Sequence, residues 1–214
     1  MGRLFAVLAV ILCLPLHIVI AAAIFLGDRG PVFYLSRRMG KGGRPFTMFK
    51  YRSMRAGCVG RIDDGFKTVV ASRDPRLTAI GRILRCGFDE IPQLLNVIRG
   101  EMAWIGPRPD ELWMLPHYGP AIRERVSVTP GITGLAQVCG SRDLTVPEAY
   151  ALEIWAARRR TVALTLRILV MTPLFILGWR SIARPLLNRV LANPEALEIA
   201  TASRGELNRA AACS

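Results

Sequence analysis

A chain of 214 residues is long enough for one domain with a real core and too short for two large ones. It is 51% hydrophobic, yet 29 Lys and Arg stand against 16 Asp and Glu, and a formal net charge of +13 calls for an anionic partner. An anionic membrane surface and a nucleic acid both fit that charge. The five cysteines are odd in number, scattered and never spaced C-x-x-C, which argues against a disulfide framework or a zinc site and for a reducing compartment.

Residues 4–26, LFAVLAVILCLPLHIVIAAAIFL, carry no formal charge if His17 is neutral. As a straight helix they would reach roughly 35 Å at about 1.5 Å per residue, against a hydrocarbon core of about 30 Å. A cleaved signal peptide fits poorly, because the apolar run continues past Ala21–Ala23 and only Arg3 precedes it. Pro15 at the midpoint removes a backbone donor and clashes with the carbonyl of Ile11, so a kink is expected there. Arg3 lies on one flank and Arg29, Arg37, Arg38, Lys41 and Arg44 on the other. Positive residues prefer the cytoplasm, which favours a re-entrant hairpin with both ends on that side over a single span.

Residues 31–35 and 45–51 read as two strands around a glycine turn. The GKGG within that turn lacks the spacing of a P-loop. Lys50 and Arg52 alternate with Phe49 and Tyr51, which puts two cations on one face, either a solvated face or an anion grip. Residues 56–73 read as a loop. A helix is predicted from Thr78 with Arg82 and Arg85 on adjacent turns, and a second from Asp89 to Arg99 stopped by Gly100. In the second, Ile91, Leu94, Leu95 and Ile98 hold the spacing of a buried face. Val162–Trp179 is apolar, but Arg167 and Pro173 interrupt it, so it reads as an interfacial or core helix and not as a span. From Trp179 to Leu191 a basic amphipathic pattern suits a membrane surface. The expected organisation is a re-entrant membrane helix over 1–28, a membrane-associated catalytic or binding domain over 29–192 on the cytoplasmic face, and a small, polar, flexible tail over 193–214. The fold class is α+β, mainly helical, with a small β-hairpin and interfacial amphipathic helices.

Asp89 and Glu90 stand out in so basic a chain. An Asp at a helix N-cap and a Glu in the first turn are ordinary helix-starting residues. The same helix end, with Arg nearby, also keeps a carboxylate ionised and attracts phosphate, and an ionised Asp can attack phosphorus. Such chemistry needs charge neutralisation by a divalent metal and by Arg or Lys. Arg108, held between Pro107 and Pro109, is one candidate, and Lys50 and Arg52 are others.

The stretches GPVFYLSRRMGKGGRPFTMFKYRSM (30–54), DPRLTAIGRILR (74–85), DEIPQLLNVIRGEMAWIGPRP (89–109) and VTPGITGLAQVCG (128–140) resemble, in order, the bacterial sugar transferases. These are monotopic phosphoglycosyl transferases, and the chain resembles their minimal form over about residues 1–180. The resemblance implies transfer of sugar-1-phosphate from a UDP-sugar to polyprenyl (undecaprenyl) phosphate, giving a polyprenyl-diphosphate-sugar and UMP. This would be the first membrane step of a surface glycan pathway, at the bacterial inner membrane. It implies Asp89 as nucleophile through a covalent aspartyl sugar-phosphate, with Glu90 orienting metal or handling the acceptor's proton, and Mg2+ held at Asp89 and Glu90. Lys50, Arg52, Arg85, Gln93 and Arg108 are the implied phosphate- and substrate-binding residues. The implied partners are the UDP-sugar, polyprenyl phosphate and membrane phospholipid, with no nucleic acid and room for a homodimer. The chain departs from the family's pattern in three places. Only Cys86, Gly87 and Phe88 separate Arg85 from Asp89, Thr165 stands where a carboxylate is usual, and Cys139 where Asn is frequent. A membrane-anchored basic binding protein and an inactive relative are the alternative readings.

Overall fold

The computed structural model describes residues 2–55, 57–58, 74–140 and 143–212. The expected loop over 56–73 falls mostly outside them. The chain divides into two compact units: Met1–Ser36 with Thr47–Gly100, and Arg37–Phe46 with Glu101–Ser214.

In the first unit the apolar N-terminus forms two helices, α1 (Gly2–Leu12) and α2 (Leu14–Asp28), bent by 60° at Cys13. No single described helix is long and apolar enough to cross a membrane, but the bent pair together reaches that length. The break lies just before Pro15, where the ring excludes the preceding turn, so the expected kink appears two residues early. Helix α1 packs along the helix Leu94–Arg99, and the Arg3 guanidinium occupies the space a side chain at Gly100 would need. Helix α2 lays Ile20 and Ile24 on Tyr51 and Leu84, and the His17 ring is hydrogen-bonded to the Tyr51 hydroxyl. Most of the remaining apolar side chains of the pair face outward, Leu12 at 82% and Leu26 at 77% exposure.

The expected hairpin is present as β1 (Phe33–Met39) and β2 (Pro45–Tyr51), closed by a 3-10 turn over Lys41–Gly43. The first strand begins and ends later than its aromatic run suggested. Helix α3 (Ala79–Leu84) starts as expected, with the Thr78 hydroxyl accepting from the Gly81 N–H at 2.9 Å. The expected helix from Asp89 is two pieces: a 3-10 helix Phe88–Gln93, then α4 (Leu94–Arg99), ended by Gly100 in the left-handed region. Pro92 has no N–H to donate, and the tighter turn absorbs the break. The buried face is correspondingly Gln93, Leu94, Asn96 and Val97, with Ile91, Leu95 and Ile98 half-buried.

In the second unit two short strands, β3 (Ala103–Ile105) and β4 (Gly131–Thr133), pair in parallel. Short helices α5 (Pro120–Arg123) and α6 (Leu135–Val138) precede α7 (Val146–Arg158), which opens on a capping box between Thr145 and Glu148. Helix α8 (Val162–Ile176) buries Ile168 and exposes Val162, Leu166, Leu169, Val170 and Ile176. The amphipathic pattern that follows is a 3-10 turn, Arg180–Ala183, and α9 (Arg184–Leu191). Much of its apolar face packs into the core: Ala183 and Val190 are buried with Leu186 and Leu187 against them, leaving Trp179 and Ile182 outward. The tail expected to be flexible is helix α10 (Pro194–Ala212). It packs on α7 through Ile199 and Ala200, and the Glu206 carboxylate accepts the Ala121 and Ile122 N–H groups at 2.9 and 3.1 Å. Small residues gave no core signal along the sequence, yet here they allow two helices to approach closely.

The turn before α3 is set by Asp74, whose carboxylate takes the Arg76 side chain at 2.6 Å and its N–H at 2.9 Å. Those hydrogen bonds depress its pKa to about 2. A depressed carboxylate adds stability above its unfolded value, near 4, and loses it as pH falls through its folded value. The stability difference between wild type and Asp74→Asn is therefore expected to be full at neutral pH and to shrink between pH 4 and about 2, as read by urea unfolding at each pH.

Candidate active site

Asp89 and Glu90 are half-buried in the first turn of the 3-10 helix Phe88–Gln93. Gly87 precedes them with φ 120°, a backbone conformation that side chains rarely adopt, so the three-residue link from Arg85 turns sharply into the pair. Asp89 is therefore not the N-cap; Gly87 holds that position and offers no side-chain cap. Both carboxylates lie in the first turn, where the positive helix end favours them.

Lys50, on β2, reaches the same place. Its Nζ donates to Glu90 Oε1 at 2.7 Å, with the two side chains 13% and 19% exposed. The register that allows this contact is fixed by Asn96, fully buried on α4. Its side-chain oxygen accepts the Phe49 N–H at 3.1 Å and its amide donates to the Thr47 carbonyl at 2.7 Å. One side chain thus ties the strand carrying Lys50 to the helix that follows the carboxylate pair. Asn96→Ala would leave two buried strand groups unpaired, at about 1–3 kcal/mol each. A loss of roughly 2–4 kcal/mol in denaturant unfolding is expected, together with slower turnover.

The other expected cations are placed differently. Arg52 does not share an open face with Lys50. Strand β2 has ended at Tyr51, and the Arg52 guanidinium is buried beneath Gly30, where a β-carbon would lie 1.8 Å from Nη1. Arg52 lines a cavity of about 300 Å3 with Ile24, Gly27, Thr78, Ala79, Ile80 and Ile83. Arg85 is the half-exposed C-cap of α3, and its charge contributes to holding Asp74 ionised. Gln93 is buried at the end of the 3-10 helix.

Arg108 belongs to the second unit, and its backbone is held on both sides. Its N–H donates to Glu153 Oε1 at 2.9 Å, and its carbonyl accepts from Arg125 Nη2. Arg125 Nε donates in turn to Glu153 Oε2, and Nη1 pairs with Asp110 Oδ2 at 2.6 Å. That oxygen also accepts the Tyr118 and Tyr150 hydroxyls at 2.5 and 2.6 Å. Burial works against the Arg125 charge, but Asp110 and Glu153 keep it firmly protonated. Burial pushes the Glu153 pKa up and Arg125 opposes the shift. The flanking prolines that singled out Arg108 are only part of its constraint. None of these five partners was expected from the sequence. The one available signal was Glu153, a carboxylate inside the apolar run YALEIW three residues after Tyr150, on the same face of α7.

The residues 1–178 match the model of the family described as bacterial sugar transferase. The chain belongs to that family. Over 191 residues it is 38% identical to the UDP-glucose:undecaprenyl-phosphate glucose-1-phosphate transferase of Xanthomonas campestris pv. campestris, covering 84% of this chain and 38% of that protein. It is 36% identical over 165 residues to the exopolysaccharide production protein ExoY of Sinorhizobium fredii, covering 70% of this chain and 72% of ExoY. The UDP-N-acetylgalactosamine-undecaprenyl-phosphate N-acetylgalactosaminephosphotransferase of Aeromonas hydrophila is 39% identical over 142 residues, covering 64% of this chain and 33% of its own length. This bacterial sugar transferase thus spans well under half of two of these three relatives. Their names cite two different sugars, so membership of the family does not select one.

Mg2+ binds through one or two carboxylates, waters and substrate phosphates, not through an all-protein cage. Two adjacent, half-exposed carboxylates fit that donor set, and among the described residues no group of three or more His, Cys, Asp or Glu forms a closed metal site.

Proposed function

We propose that this chain transfers sugar-1-phosphate from a UDP-sugar to polyprenyl phosphate, releasing UMP, at the face of a bacterial inner membrane that meets the cytoplasm. The observation that carries the reading is the Asp89–Glu90 pair with Lys50 Nζ 2.7 Å from Glu90, in a member of the bacterial sugar transferase family. The names of its relatives, which cite undecaprenyl phosphate and UDP-sugars, support the substrate classes.

In this reading an Asp89 carboxylate oxygen attacks the sugar-bearing phosphorus of the donor. The bond from that phosphorus to the bridging oxygen breaks, and UMP leaves with the electron pair. The resulting aspartyl sugar-phosphate is attacked at phosphorus by an oxygen of polyprenyl phosphate, which forms the diphosphate and frees Asp89. Splitting the transfer into two displacements lets a soluble donor and a lipid acceptor react in turn at one carboxylate. Mg2+, held by Asp89 and Glu90, would neutralise phosphate charge when bound. Lys50 fixes Glu90 next to the nucleophile and adds a positive charge there. Arg108 is assigned to a phosphate, and Arg52, Arg85 and Gln93 to supporting the phosphate-binding groups.

The membrane arrangement belongs to the same proposal. Helices α1 and α2 enter the bilayer as a re-entrant hairpin, which is supported by their 60° break and by both arms packing on the same unit. Cysteines introduced beside Arg3 and Arg29 should both be labelled from the cytoplasmic side only; labelling of the Arg3 side from the opposite face would refute the hairpin.

The direct test incubates the protein with Mg2+ and a panel of UDP-sugars, reading UMP and intact mass before lipid is added. A sugar-phosphate adduct discharged by undecaprenyl phosphate is expected. In folded Asp89→Asn both adduct and UMP should vanish, and Glu90→Gln should slow release by about 100-fold or more. Full activity in Asp89→Asn would exclude the nucleophile assignment. Silence toward every donor, with lipid acceptor present, would favour a binding protein or an inactive relative.

A further inference from the structure

Burying an ion costs several kcal/mol even when it is paired, and an apolar cluster of equal volume often serves stability as well or better. The second unit nevertheless buries Arg125 and Glu153, 4% exposed each, with Asp110 and two tyrosines around them. What this cluster holds is a single short loop. Glu153 Oε1 accepts the Arg108 N–H, Arg125 Nη2 donates to the Arg108 carbonyl, and Arg125 Nε donates to Glu153 Oε2, which closes the ring. Both peptide groups of Arg108 are therefore fixed by one ion pair. On either side, the Pro107 carbonyl accepts the Gly131 N–H at 2.9 Å, and Asp110 is anchored by Arg125, Tyr118 and Tyr150. An aliphatic cluster could fill the volume, but it could not satisfy or orient those two peptide groups.

We infer that Arg125 and Glu153 are positioning residues for Arg108: their ion pair sets the backbone from which the Arg108 guanidinium is presented to a substrate phosphate. The inference rests on the proposed role of Arg108 in the transfer. A displacement of about 1 Å at a binding group can slow turnover by about 100-fold, which makes a rigid anchor worth its desolvation cost.

The test is a double-mutant cycle on the full chain in detergent or lipid discs. UMP release is followed from UDP-glucose and UDP-N-acetylgalactosamine with Mg2+ and undecaprenyl phosphate. Amide exchange of Arg108 is measured in parallel, and is well isolated because Pro107 and Pro109 carry no N–H. Arg108→Ala is expected to slow release by about 100-fold. Arg125→Lys, which loses the guanidinium fork, should slow it by about 10- to 100-fold and speed Arg108 amide exchange. The double variant should be no slower than Arg108→Ala alone, since Arg125 acts through Arg108. A merely structural role would instead multiply the two losses, and that result overturns the inference. Glu153→Gln, whose amide oxygen can still accept the Arg108 N–H, provides a second arm with the same expected coupling should Arg125→Lys fail to fold. Wild-type rates in Arg108→Ala would remove the phosphate role of Arg108, and no UMP from wild type with any donor of the panel would count against the proposed function itself. In that case unchanged Arg108 exchange in Arg125→Lys would separately overturn the clamp, and faster exchange would support it.

Discussion

A guanidinium cannot leave water cheaply, and the second unit is organised around one that has. Arg125 spends its donors on Glu153, Asp110, Tyr118 and the Arg108 carbonyl, and its plane lies over the Tyr150 ring at 4.5 Å. The partners come from three parts of the chain: Arg108 and Asp110 from the loop after β3, Tyr118 from the turn before α5, and Tyr150 and Glu153 from α7. Removing Asp110 or Glu153 would leave the buried Arg125 charge short of a carboxylate, so the loop after β3 and α7 have to meet at this point. Helix α10 then covers α7, and Glu206 caps α5 from the far end of the sequence.

The first unit uses a neutral device for the same purpose. Asn96 offers both an acceptor and a donor to the strand backbone, and so fixes which residue of β2 lies beside the carboxylate pair. An amide costs far less to bury than a charge once both of its partners are met. The charged contact, Lys50 with Glu90, keeps some access to solvent, where a phosphate or a metal ion could compete for it.

Apolar side chains are distributed in keeping with a chain that meets lipid. Helices α1 and α2 bury only a narrow strip and leave Leu4, Phe5, Leu12, Leu14 and Leu26 outward, while α8 exposes Val162, Leu166 and Val170. In the proposed function the outward face of α1 and α2 meets the lipid from which the polyprenyl phosphate comes.

Local chemistry determined a good deal from the sequence alone. The proline break in the N-terminal apolar run, the Thr78 cap, the glycine hairpin and the Gly100 stop all depend on residues within one or two turns, and all were legible there. The adjacent pair Asp89–Glu90 and the ordered motifs around it identified the candidate site and the family. The tertiary structure alone decided whatever depends on partners distant in sequence. It placed Lys50 on Glu90, withdrew Arg52 beneath Gly30, turned the polar tail into a helix on α7, and held Arg108 by residues 17 and 45 positions away. The physical reason is that periodicity reports which face of an element avoids water. A buried ion or amide is defined by what it meets, and only the folded chain supplies that.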